Sequence, residues 1–328
     1  MNDMNLRDKL KNCLLFLSFA GALVSCNTDI ENMEIQKPYT YDDKYYENLR
    51  EYKKSNHQVS YMWFADYTTS LSLGTRFLGL PDSLDICSLW SGIPSKESMP
   101  EVYEEMRFIQ KVKGTKIIFC TFPTVDNKPE IASLPEEQRV KALGDQILNT
   151  IYQNDLDGVD MDYELKTDWM GKGDHMTQLI EYLGQYIGPK GKDPEKLLIV
   201  DVTIGKQIPG GYEYLSYLVS QSYGATAGSM LQTYYNYVSE KLNSERFIVT
   251  ANMGDFYQTG GQKFVETNGN DKSVYGGQLY SLEGMARWNP SEGPKGGFGA
   301  FYGHRDYNNN PPYKYFRRAI QQQSPAVH

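Results

Sequence analysis

Asp157-Gly158-Val159-Asp160-Met161-Asp162-Tyr163-Glu164 alternates carboxylates with apolar residues. Side chains of a strand point to opposite faces in turn. A strand here puts Val159, Met161 and Tyr163 on one face and Asp160, Asp162 and Glu164 on the other. Carboxylates on a face that Val, Ile or Leu would normally fill cost several kcal/mol unless they are paired or protonated. So concentrated a violation of the core rule is expected at a functional site. Crowded carboxylates raise one another's pKa. A Glu at the mouth of the strand, beside Asp162, is then expected to stay protonated near neutral pH, as a general acid must. Asp157 falls on the other face and reads as structural. The order does not match the helix–loop–helix calcium loop, and no phosphate-cradling glycine loop accompanies it, so neither a metal nor a cofactor is expected.

This stretch is one of a series. Short apolar runs occur at Val59–Phe64, Leu84–Trp90, Lys116–Phe122, Leu156–Glu164, Leu197–Val202, Tyr217–Tyr223, Arg246–Ala251 and Gly297–Tyr302. Helical patterns lie between them at Ser98–Val112, Glu136–Asn154, His175–Ile187, Thr226–Leu242, Gln278–Trp288 and Lys314–Gln323. Strands alternating with helices predict a parallel sheet, and eight of them predict a single closed (β/α)8 TIM barrel. An open doubly wound sheet is the alternative, but no Gly-x-Gly-x-x-Gly follows an early strand. Active sites of such barrels lie at the C-terminal ends of the strands. Polar residues there include Asp66, Asp162, Glu164, Gln221, Tyr223, Asn252 and Tyr302.

The chain of 328 residues carries a net charge of −8, which argues against nucleic acid and favours a neutral substrate. At its start Arg7, Lys9 and Lys11 precede an apolar run from Cys13 to Ser25, too short to span a bilayer comfortably. The run ends in Leu23-Val24-Ser25-Cys26, which resembles a bacterial lipobox. Residues 1–25 then read as a lipoprotein signal peptide, with Cys26 lipidated. Residues 26–55 read as an acidic, polar tether with a short helix around Asp42–Lys54, and residues 56–328 as the catalytic barrel. The implied location is the outer membrane, facing the cell surface, with membrane contact through the lipid alone. Cys87 and Cys120 fall in separate strands and read as buried thiols rather than a disulfide. A monomer is expected.

Asp-Gly-x-Asp-x-Asp-x-Glu at the end of the fourth barrel strand resembles the signature of glycoside hydrolase family 18. All four acidic positions are present, as Asp157, Asp160, Asp162 and Glu164. The resemblance runs from about Val59 to Gln323 and looks nearest to the Bacteroides endo-β-N-acetylglucosaminidases. It implies substrate-assisted retention, an exception to the two-carboxylate scheme. Glu164 would protonate the glycosidic oxygen and the substrate's 2-acetamido oxygen would attack the anomeric carbon. Asp162 would orient the acetamide N–H and Asp160 would support Asp162. The N-glycan core, GlcNAc-β-1,4-GlcNAc, is the implied substrate. On the sixth strand, Gln221 and Tyr223 form the Gln-x-Tyr pair that helps hold the acetamide carbonyl in the endo-β-N-acetylglucosaminidase branch. A second copy, Gln232-Thr233-Tyr234, falls in a helical pattern and is set aside.

The eighth strand departs from the many chitinases of the family that end it in Trp. It reads Gly297-Phe298-Gly299-Ala300-Phe301-Tyr302, leaving Tyr302 or Phe301 to floor the sugar. Trp63, Trp90, Trp169, Asn252 and Tyr302 are the expected substrate-binding residues, Trp169 foremost because it follows the catalytic strand. The alternatives are a chitinase-like hydrolase and a non-catalytic surface glycan-binding protein on the same scaffold.

Overall fold

The computed structural model describes residues 40–67, 76–164, 169–203 and 208–325. Eight strands run in chain order: β1 (Val59–Phe64), β2 (Ile86–Leu89), β3 (Lys116–Thr121), β4 (Gly158–Tyr163), β5 (Leu197–Thr203), β6 (Tyr217–Gln221), β7 (Phe247–Asn252) and β8 (Gly297–Phe301). Each pairs in parallel with the next, and β8 closes on β1. Each coincides with one of the runs read from the sequence. Five are shorter than expected (β2, β3, β4, β6 and β8). β6 stops at Gln221 because the Ser222 N–H turns back onto the Ser220 carbonyl at 2.8 Å. β2 loses two residues at its start and one at its end.

The helices are α1 (Asp43–Lys54), α2 (Pro100–Lys111), α3 (Pro129–Ala132), α4 (Glu136–Gln153), α5 (His175–Leu183), α6 (Gly228–Asn236), α7 (Ser281–Arg287) and α8 (Lys314–Gln323). The connections after β1 and β5 carry, among the described residues, only the short 3-10 turns Phe77–Gly79 and Tyr212–Tyr214. The sequence shows no helical pattern at those two places either. Gln232-Thr233-Tyr234 lies within α6, away from the strands.

Strand alternation divides the core in two. Val59, Tyr61, Trp63, Ile86, Ile118, Ile199, Val219 and Ile248 fill the inside of the barrel. Met62, Phe64, Cys87, Val159, Met161 and Phe298 face the surrounding helices and loops. Cys87 and Cys120 are free thiols on opposite faces of the sheet, which accounts for the absence of a bond between them. The inside is crowded at β1, and β8 yields there. A Cβ on Gly299 would lie 2.7 Å from the Tyr61 carbonyl oxygen and 3.0 Å from the Tyr61 ring.

The N-terminal ends of the strands are tied down by polar contacts. The Asp42 side chain accepts from the Tyr45 N–H and caps α1. From α1, Arg50 donates to the Val112 carbonyl at 2.7 Å, and Lys53 to the Leu84 carbonyl and the Thr115 hydroxyl at 2.7 and 2.8 Å. Buried Asp85 accepts from His57, from the Ser60 N–H and from the Ser60 hydroxyl. Asp157 accepts from the Ile117 N–H and from Gln110 of α2, both at 2.8 Å, which joins β4 to β3 and to a helix. No helix among the described residues is long and apolar enough to cross a membrane. The signal peptide, Cys26 and the tether before residue 40 lie outside the described residues.

Candidate active site

β4 sets the site. Its register places Asp160 beside Cys120 of β3 and Ile199 of β5, and Asp162 beside Asp201 of β5. Asp160 and Asp162 are buried inside the barrel, and Glu164 is exposed just past the strand's end. The line thus climbs from the core to solvent. Asp162 and Glu164 line a cleft of about 350 Å³ together with Phe122, Thr124, Asp126 and Met170.

Asp160 is held by three donors from two strands, β1 and β2. Its Oδ2 accepts from the Tyr61 hydroxyl at 2.5 Å, from Trp63 Nε1 at 2.8 Å and from the Ser88 hydroxyl at 3.0 Å. Burial pushes its pKa up, and these hydrogen bonds pull it down. Asp201 is buried one strand away. Desolvation, then the charges of Asp160 and Asp162, push its pKa well above the usual carboxylate range. Gln221 Nε2 donates to Asp201 at 2.6 Å and to Asp162 at 3.2 Å. Burial therefore raises Asp160, and burial with carboxylate crowding raises Asp201, a residue absent from the sequence reading.

Tyr223 follows the end of β6 with its ring stacked on Phe301, centroids 5.2 Å apart and planes 24° apart. Its hydroxyl makes no hydrogen bond among the described residues. Burial and the neighbouring carboxylates raise its pKa, so the phenol stays a donor. Gln221 is engaged differently from the sequence expectation. Its amide nitrogen braces two carboxylates, where an acetamide contact was expected.

The expected sugar-contact residues separate into two groups. Trp90 is half-buried at the mouth, edge-on to Phe301 at 5.7 Å and to exposed Phe122 at 6.4 Å. It remains a candidate. Trp63 is 2% exposed and acts as a donor to Asp160, so it offers no face to a sugar. Trp169 does not line the cleft. Its ring stacks on His175 at 3.7 Å, Arg139 lies over it at 5.6 Å, and its N–H donates to Glu136. Asn252 accepts from the Gly254 N–H at 2.7 Å and anchors its loop. Of the two aromatics left open on β8, Phe301 is the one inside the barrel. Alternation along β8 turns Phe301 inward, whereas Tyr302 takes a left-handed φ of 51° and packs beside His304 and Arg305. Next to it, Asp66 faces His304 Nε2 at 3.0 Å.

Cys120, Asp160 and Asp201 each bring one ligand-type atom within 4.8 Å of the others. Their chemistry does not suit a cation. Burial pushes the Cys120 thiol far from ionisation, and burial with the neighbouring carboxylates pushes the Asp201 carboxyl well up, so the group offers a cation little negative charge.

Tyr61, Ser88 and Asp201 were not singled out in the sequence, and Cys120 was read only as a buried thiol. Asp201 carried the same signal as β4, a carboxylate at an inward position of an apolar strand, but once rather than in series.

A family model described as glycoside hydrolase family 18, BT1044-like, matches residues 25–322. Endo-beta-N-acetylglucosaminidase EndoS of Streptococcus pyogenes serotype M1 is 28% identical over 214 residues, covering 54% of this chain and 21% of that protein. The chain therefore spans about a fifth of the length of that curated relative. BT1044, solved as a selenomethionine protein with a Glu-to-Gln substitution, matches with a TM-score of 0.70 at 22% identity, over 87% of this chain and 94% of that one. The apo endo-beta-N-acetylglucosaminidase of Cordyceps militaris matches at 0.68 and 24%, over 88% and 98%. At these identities the two structures speak to the fold, and the family model to the family.

Proposed function

The chain belongs to glycoside hydrolase family 18, BT1044-like, and from that premise we propose that it is an endo-β-N-acetylglucosaminidase cutting the GlcNAc-β-1,4-GlcNAc core of N-glycans. The observation that carries this reading is the line of Asp160, Asp162 and Glu164 along β4, ending in an open cleft, with Gln221 fixed to Asp162. A protein that only binds glycans has no need of a carboxyl poised at the mouth of a buried acidic stack. The names of EndoS and the Cordyceps enzyme support the choice of bond.

In this reading Glu164 gives its proton to the glycosidic oxygen as the bond to the anomeric carbon breaks. The substrate's acetamide oxygen closes on that carbon and forms an oxazolinium ion. Asp162 accepts from the acetamide N–H and faces the positive charge. The Tyr223 hydroxyl, which meets no acceptor among the described residues, donates to the acetamide oxygen and fixes its line of approach. Glu164, now a carboxylate, takes a proton from water as that water opens the ring. Phe301, stacked on Tyr223 inside the barrel, is the floor for the sugar, and Trp90 with Phe122 extends an aromatic wall from it.

Two inversions at one carbon retain configuration. Proton NMR of the first product formed should show the β-anomer ahead of mutarotation. An initial α-anomer would contradict the mechanism, and the absence of any product would contradict the activity.

We further propose that Cys26 is lipidated and tethers a monomeric barrel to the outer membrane, facing the cell surface. The Leu23–Cys26 run supports this. Labelling with a fatty-acid analogue, lost in Cys26→Ser, tests it.

A further inference from the structure

Three buried carboxylates meet inside the barrel, and two of their oxygens are left without a donor. Among the described residues, no donor group reaches Asp160 Oδ1 or Asp201 Oδ2. Each of these residues has its other oxygen occupied: Tyr61, Trp63 and Ser88 bind Asp160 Oδ2, and Gln221 binds Asp201 Oδ1. Carboxyl oxygens of the two residues lie within 4.8 Å of each other, and the two side chains are placed to hydrogen-bond once either carries a proton. Two bare carboxylates so placed, away from water, would each be unsatisfied and would repel. One proton between them removes both costs.

We propose that Asp201 is a positioning residue of the catalytic site: it shares one proton with Asp160 and, through Gln221, fixes the orientation of Asp162. The proposal rests on the hydrolase reading given above. Asp201 is faced by Asp162 and Asp160 on β4, Cys120 on β3, Tyr61 on β1, Gln221 at the end of β6 and Tyr223 just past it. None of these is a cation. Its carboxyl is pushed far up, by burial first and by Asp160 and Asp162 next, so the shared proton stays through neutral pH. The arrangement has a chemical consequence. Asp160 is satisfied by its donors and by the shared proton, so it needs no proton from Asp162. Asp162 keeps its negative charge, and can accept from the acetamide N–H and face the oxazolinium ion. The shared proton is not consumed in turnover.

Asp201→Asn is the telling variant. A neutral amide reproduces the protonated carboxyl: its carbonyl accepts from Gln221, and its N–H donates to Asp160. Asp201→Ala leaves Gln221 and Asp160 unpaired on that side. With the full-length protein at neutral pH, Asp201→Asn should keep kcat near wild type. Asp201→Ala should lose kcat by about 10–100-fold with little change in KM, the range for removing a group that orients a catalytic contact. Equal losses in both variants would overturn the proposal, since Asp201 would then have to ionise. Full activity in Asp201→Ala would overturn it as well. The infrared spectrum supplies a second readout that needs no activity. Wild type minus Asp201→Asn at neutral pH should show the carbonyl stretch of a protonated carboxylic acid, and its absence would overturn the shared proton. If the wild type releases no glycan, the hydrolase reading fails, and the infrared difference still decides the protonation.

Discussion

The Tyr61 hydroxyl donates to Asp160 Oδ2 at 2.5 Å, joining residues 99 positions apart in the chain. Tyr61 reaches Asp160 because Gly299, next to it on β8, has no side chain. The acidic stack of β4 is thus supported by a residue on β1 and by a glycine on β8. Asp160→Leu should orphan the Tyr61, Trp63 and Ser88 donors together. We expect a loss of about 1–3 kcal/mol for each buried donor that finds no new partner, read from urea unfolding, with hydrolysis lost as well. A stability equal to wild type would contradict the support described.

Gly299→Ala addresses the same support from the other side. The new Cβ meets the Tyr61 backbone, which cannot swing away. Overpacking of this kind costs about 1–3 kcal/mol, and kcat should fall because Tyr61 moves off Asp160. An unchanged urea midpoint with unchanged kcat would show that the barrel interior has room to spare.

Glu164→Gln should behave in the opposite way. Glu164 is exposed, so its loss should leave Tm unchanged, whereas hydrolysis should fall by about 10²–10⁴-fold or more, the range for removing a general acid. Glycan affinity, measured by calorimetry on an intact glycopeptide, should survive. A near-wild-type rate would remove Glu164 from the acid's role.

Tyr223→Phe removes a hydroxyl with no hydrogen bond of its own among the described residues and keeps the stack on Phe301. Stability should therefore hold, and kcat should drop on the order of 10²-fold, as for one positioned donor. A fall in Tm with kcat intact would mean that the hydroxyl serves the fold.

Far from the site, His57 and Asp85 give a pH dependence of stability. The hydrogen bond to Asp85 raises the His57 pKa above its usual value. The folded state then holds the proton more tightly than the unfolded one. The stabilisation is present in full below the unfolded pKa of about 6.5 and is lost as pH rises through the higher folded value. His57→Ala should therefore cost more stability at about pH 5.5 than at about pH 9, read from urea unfolding at the two pH values. An equal loss at both pH values would assign His57 a packing role only.

The barrel was legible because eight apolar runs are separated by turns and helical stretches, and because β4 alternates so strictly. The acid line was legible for the same reason, since Val159, Met161 and Tyr163 declare one face and Asp160, Asp162 and Glu164 the other. Phe301 was obscured because Gly297 and Gly299 share its face and carry no side chain, so β8 shows no alternation. Asp201 was overlooked because one Asp near a strand end resembles an ordinary strand terminus. Only the register against Asp162 shows it to be buried among carboxylates. Trp169 was misplaced because nothing in its spacing reveals that His175 and Arg139 take up its ring. Such contacts depend on how the loop folds back.

Mass spectrometry of the products from RNase B, fetuin and IgG tests the central claim most directly. The account predicts released glycans ending in a single reducing-end GlcNAc, with the other GlcNAc left on the asparagine, and no release by Glu164→Gln. Glycan binding by the wild-type protein without any release would contradict it.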